Sequence, residues 1–187
     1  MKFDKDIILK ITSLPPPTII AVSGFGGSGK STFAQLLGSA LNVPVVGLDS
    51  FIKDKTLTDY SLWDIMDFDR LEREVLMPFN EGKNPVRYSH FDWEKNAIGE
   101  TREVSHDGRI IVEGVGLLRP HLSKYFGYKI WVDCPLGEAI VRGKKRDREE
   151  YHNPQDEAWE GIWKKNDLEY SNAFNPKGAA DVIIDNA

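Results

Sequence analysis

Residues 19–31 read IIAVSGFGGSGKS, an apolar run followed by four glycines and a lysine. A packed core gains nothing from four residues without side chains, and a lysine at a helix start is opposed by the positive end of the macrodipole. An anion at that point resolves both objections. Gly24, Gly29, Lys30 and Ser31 fit G-x-x-x-x-G-K-[ST], the phosphate loop, and Gly26, Gly27, Ser28 and Thr32 complete the stretch. The context is what the motif requires, because backbone N–H groups at a helix start wrap a phosphate only where glycine lets the chain approach closely. The expected ligand is a nucleoside triphosphate, with Lys30 on its β and γ phosphates and the Ser31 hydroxyl on Mg²⁺.

Working outward, Thr18–Ser23 reads as a buried strand, and 30–41 as a helix with Phe33, Leu36, Leu37 and Leu41 on one face. Upstream, Phe3, Ile7, Ile8, Ile11 and Leu14 recur at helical spacing and stop at Pro15–Pro17, which predicts an amphipathic first helix. Downstream, VPVVGLD is a second strand. A mixed stretch over 50–66, a helix over 69–79 and two short strands, YSHFDWEK and IGETREV, form an accessory segment spanning about 50–106. RIIVEG and YKIWVD are further buried strands, and DVIID closes the sheet. Helices are expected over 135–150 and from Asn153-Pro154, a cap followed by proline, to about Phe174. Apolar strands alternating with helices define an α/β class, with a parallel sheet covered on both faces.

The 187 residues suffice for one substantial core and suit a single domain. A formal net charge of −5 argues against a nucleic-acid partner, so an anionic ligand has to be drawn in locally. One cysteine, Cys134, excludes an intrachain disulfide. With no signal-peptide layout and no run long enough for a membrane span, a cytoplasmic location is expected.

The base-reading N-K-x-D of GTPases is absent; KKND at 164–167 has the wrong order and falls within a helical segment. Asp49 ends the second strand in LDSF, where the carboxyl edge of the sheet faces the phosphate loop and an acceptor hydroxyl would lie. Glu113 ends IIVEG, placed to hold Mg²⁺ directly or through water. Asp133, ending IWVD, is a rival, although it stands just ahead of a helix where capping is its expected role. Arg142 and Arg146 are one helical turn apart on the flank of an apolar face, and Asp147 falls towards that face as an anchor. In YSHFDW, strict alternation puts Tyr88, His90 and Asp92 on one face and Ser89, Phe91 and Trp93 on the other.

The sequence resembles the uridine kinase and phosphoribulokinase family of small-molecule kinases. The resemblance is carried by GFGGSGKST at 24–32, LDSF at 48–51, IIVEG at 110–114, AIVRGKKRD from 139 and NPKGAADVII from 175. It implies a phosphate-loop kinase topology, ATP with Mg²⁺, transfer to a hydroxyl of a small molecule, and Asp49 beside that acceptor. It also implies that Arg142 and Arg146 lie over the phosphates and that Asp64 binds a sugar; independently of the resemblance, one face of YSHFDW, that of Tyr88 and His90 or the opposite one, is expected to line the acceptor pocket. The family's D-H-P and R-G-R patterns are absent; REEYHNP stands where the second would be. A kinase for a non-nucleoside alcohol is the alternative within enzymes, and an ATP-binding regulatory module without transfer is the alternative outside them. A charged run from about Arg148 to Phe174, poor in apolar residues before Trp159, is expected to act as a lid.

Overall fold

The computed structural model describes residues 5–187; Phe3 of the expected first helix lies outside them. The main sheet has five strands, β1 (Thr18–Ser23), β2 (Val45–Gly47), β5 (Arg109–Glu113), β6 (Phe126–Asp133) and β7 (Val182–Asp185), in the order β2-β5-β1-β6-β7. All four neighbouring pairs are parallel. Because successive side chains alternate, β1 sends Ile20 and Val22 into one core and Ile19 and Ala21 into the other. The first core lies under α1 (Lys5–Ser13), which contributes Ile7 and Ile11, and α2 (Lys30–Leu41), which contributes Phe33, Ala34 and Leu37. Each of the larger of these side chains, fully buried, contributes about 1.5–3 kcal/mol.

The second core is capped by the accessory segment. Residues 68–80 form one helical stretch, α3 (Phe68–Leu71) and α4 (Met77–Asn80) joined by a π-helical turn over Glu72–Leu76. β3 (Val86–Asp92) and β4 (Ala97–Val104) pair antiparallel as a separate hairpin. The expected alternation along β3 fails halfway. A register shift between Ser89 and Phe91 inserts a bulge, so Tyr88 and Phe91 both turn inward.

β5 is followed by α5 (Pro120–Ser123), and β6 by α6 (Leu136–Glu149), α7 (Asp156–Glu160), α8 (Ile162–Phe174) and α9 (Pro176–Ala179). The expected helix start at Asn153-Pro154 is not used. The Asn153 N–H donates to the Asp147 carbonyl at 2.9 Å, tying this stretch to the end of α6, and helix resumes only at Asp156. Gly161, at φ −104° and ψ −104°, then separates α7 from α8. α8 is held firmly: Tyr170 is 1% exposed and its hydroxyl accepts from the Leu118 N–H at 2.8 Å. Among the described residues no helix is long and apolar enough to cross a membrane.

Candidate active site

The loop Gly24–Gly29 joins β1 to α2 at the carboxyl edge of the sheet. α2 starts without a side-chain cap, behind Gly29 at φ +88°, so its first N–H groups remain available to a ligand. Gly27 cannot be replaced by a larger residue. It has φ +77°, and a Cβ there would lie 2.0 Å from the Ala139 carbonyl oxygen of α6. Ser28 is fully buried and its Oγ has no partner, a donor left over beside the loop. The cradle is thus built from backbone pressed against α6, with a positive Lys30 at its inner end.

Beside it stand side-chain oxygens. The Ser31 hydroxyl donates to Glu113 Oε2 at 3.1 Å, joining the start of α2 to the end of β5. Burial pushes the Glu113 carboxyl above its usual range; Lys30 pulls it back and Asp49 pushes it further up. A hard cation between Ser31 and Glu113 would relieve that burial, and two adjacent hard oxygens suit Mg²⁺. Asp133 is occupied elsewhere. Lys177 Nζ donates to it at 2.6 Å and Trp131 Nε1 at 3.1 Å, and α6 begins behind Pro135 with no side-chain cap, so the capping role expected of Asp133 is not observed. Asp49 is exposed in a short 3₁₀ turn, Leu48–Ser50, at the end of β2. It therefore opens onto solvent on the Glu113 side of the phosphate loop.

The two arginines do not share a target. Arg142 donates to the carbonyl of Asn186 at 2.5 Å and to Glu138, and Asn186 Nδ2 in turn donates to the Ser28 carbonyl at 2.8 Å. Arg142 thus steadies the chain end against the loop from outside. Arg146 turns to Asp147 at 2.8 Å and packs over the rings of Tyr151 and Trp159. Both guanidiniums are engaged by protein groups, because each finds a carboxylate within its own helix. Asp147 does anchor the helix as its position suggested: it is 3% exposed and accepts from Trp159 Nε1 at 2.7 Å.

On the acceptor side most aromatics are core. Trp63, Phe68, Tyr88 and Phe91 are buried, and Tyr88 packs against Phe51 at 5.3 Å between centroids. His90 is half-buried with Nδ1 3.0 Å from Ser50 Oγ, and burial, then Arg102, holds its imidazole below the ordinary value. Asp64 keeps an exposed side chain but shares Oδ1 with Arg119 at 3.3 Å. Arg119 is buried, stacks on Phe68 at 3.6 Å and donates to the carbonyls of Gly116 and Leu62.

Two residues close to the loop were not singled out from the sequence. Asp167 of α8 accepts from the Gly26 N–H at 3.0 Å and from Trp63 Nε1 at 2.9 Å. Its neighbour Asn166 accepts from the Trp63 N–H at 2.6 Å and donates to the Tyr60 carbonyl. A signal existed: Trp163, Asp167, Tyr170 and Phe174 are spaced as one helical stripe, which puts the carboxylate on an inward face.

The parallel order β2-β5-β1-β6-β7, with the glycine loop between the central strand and α2, is that of the phosphate-loop nucleoside triphosphatase fold. A family model described as an AAA domain matches residues 20–162. A uridine kinase from Alkaliphilus metalliredigens is 31% identical over 150 residues, covering 72% of this chain and 70% of the relative. Another from Cronobacter sakazakii is 27% identical over 184 residues, covering 89% and 85%. A solved structure of a possible uridine kinase from Bacillus stearothermophilus superimposes with a TM-score of 0.73 over 97% of this chain and 96% of that one, at 18% identity. The chain belongs to the uridine kinase family of phosphate-loop kinases.

Proposed function

We propose that the protein transfers the γ-phosphate of ATP to a hydroxyl of a small metabolite, with a riboside's primary 5′ hydroxyl as the acceptor. The observation that carries this reading is the clustering of Asp49, Glu113, Ser31 and Lys30 at one sheet edge: the Ser31–Glu113 bond joins α2 to β5, and the charges of Lys30 and Asp49 both act on Glu113. Bound there, ATP·Mg²⁺ supplies the phosphoryl group and offsets its negative charge. Lys30 stabilises charge on the transferring group, and Ser31 with Glu113 holds the metal. Asp49 accepts the hydrogen bond of the acceptor hydroxyl and sets it in line. In a loose transition state that proton leaves late, so orientation matters more than base strength. The exposed oxygen of Asp64 is the candidate partner for a ribose diol, as an acceptor from both hydroxyls.

One observation favours a second reading, an alcohol without a base. Trp63, Tyr88 and Phe91 are buried in the core, which leaves few aromatic faces to stack on a planar ring. The test is an acceptor panel with purified protein: uridine, cytidine, nicotinamide riboside, their 2′-deoxy forms, pantothenate, ribulose 5-phosphate and glycerate, read by ADP release. Turnover is expected with ribosides and weaker with the 2′-deoxy forms, because a carboxylate reading the diol loses a donor. Turnover of a non-nucleoside alcohol with every riboside silent selects the second reading.

A further inference from the structure

A carboxylate on a phosphate loop is an unusual tenant. The Gly26 N–H points into Asp167 Oδ2 at 3.0 Å, and Asp167 is only 2% exposed. The charge of Lys30 acts on it directly, stabilising the anion against its burial. The same side chain holds Trp63 through Oδ1, so one carboxylate ties the phosphate loop to the stretch 60–64. Its neighbours on α8 strengthen the second tie. Asn166 holds Trp63 and Tyr60 through backbone groups, and Glu169 accepts from the Leu62 N–H at 3.3 Å. Leu62 and Trp63 both sit at positive φ, 54° and 62°, a conformation that side chains other than glycine adopt only when outside contacts impose it.

The stretch so held also carries Asp64, whose Oδ1 is tied to Arg119. We infer that Asp167 is an internal stand-in for a phosphate oxygen: the γ-phosphate of a bound triphosphate and this carboxylate compete for the Gly26 amide beside Lys30, and displacing the carboxylate releases the Trp63 indole and loosens residues 60–64 to receive the acceptor. Two anions cannot share one N–H donor and one ammonium without repulsion, so the nucleotide that carries the extra phosphate works against Asp167. The arrangement makes Asp167 a positioning residue that couples the two halves of the site. A purely structural aspartate would not distinguish a triphosphate from a diphosphate. The inference rests on the reading that the phosphate loop holds a nucleotide.

The experiment compares the wild-type chain with Asp167→Asn, which keeps an acceptor oxygen and loses the charge. Calorimetric titration with Mg²⁺ and a non-hydrolysable ATP analogue, and separately with ADP, is expected to show the analogue bound about tenfold more tightly by the variant and ADP nearly unchanged. Hydrogen exchange on the wild-type chain, followed by NMR and needing no variant, is expected to speed up at the Trp63 indole N–H, the group that Asp167 holds, when the analogue is added. Unchanged or weaker analogue binding by a folded variant, or unaltered exchange at the Trp63 indole N–H, overturns the inference. Failure of the wild-type chain to bind either nucleotide overturns the phosphate-loop reading itself, and the inference with it.

Discussion

At the scale of single residues, the proposed transfer asks different things of Asp49 and Lys30. Lys30→Ala is expected to lower kcat by at least about a hundredfold with the fold intact by circular dichroism, since the ammonium acts on the transferring group. Asp49→Asn is expected to lower kcat by about 10²–10³ while the calorimetric Kd for ATP stays within about twofold, because it keeps its shape and loses only the charge that orients the acceptor. A parallel loss of ATP affinity would instead place Asp49 with Ser31 and Glu113 in the metal site. Gly27→Ala offers a steric check. Its Cβ would meet the Ala139 carbonyl at 2.0 Å from a backbone at φ +77°, so loss of nucleotide binding and a lower Tm are expected together.

At the scale of elements, the charged segment after α6 divides into two parts with different restraints. Residues 148–161 are held mainly by exposed ion pairs, such as Arg148 with Asp156 and Lys144 with Glu160, which solvent screens and which add little to stability. The exception is Trp159, buried against Gly143 and bonded to Asp147. α8 is different, since Tyr170 belongs to the core and Asn166 and Asp167 are buried. Local opening is cheapest where few apolar contacts are lost. Limited proteolysis is therefore expected to cut within 148–161 and to slow when ATP and acceptor are both present, as mass spectrometry of the fragments would report. First cuts within α8, or digestion indifferent to ligands, would show that the segment does not close as a lid.

At the scale of the whole molecule, two buried carboxylates at the sheet edge, Glu113 and Asp167, place a cost on stability that depends on pH. Burial raises Asp167 to about 6 from an ordinary 3.8, against the opposing pull of Lys30 and the Gly26 and Trp63 hydrogen bonds; Tyr170, one turn along α8, is the other titratable neighbour coupled to it. A carboxyl whose folded value is raised contributes stability that is complete below the unfolded value and lost as pH rises through the folded one. The full loss corresponds to about 3 kcal/mol, of which about half falls between pH 5 and pH 7.5. Asp167→Asn cannot ionise. Urea unfolding is therefore expected to show the variant gaining on the wild-type chain as pH rises over that interval, and a gap independent of pH would show that Asp167 does not titrate there.

What could be read from the chain alone was whatever depends on neighbours in sequence. The phosphate loop is contiguous, its glycines and lysine act through local backbone geometry, and the strands announce themselves as apolar runs; hence α/β class, strand positions and the Gly24–Thr32 cradle were all legible. The Ser31–Glu113 bond was half legible, because each residue marks the end or start of an element that the parallel topology brings to the same edge. Contacts across large separations were not. Arg142 and Arg146 looked equivalent on a helical wheel, yet one meets the chain end and the other Asp147. The bulge in β3 reversed an alternation that no residue type announced. Asp167 reaches Gly26 across 141 positions, and only the packing of Tyr170 into the core decides that α8 lies where its carboxylate meets the loop: local chemistry sets what a residue can do, and tertiary packing sets whom it meets.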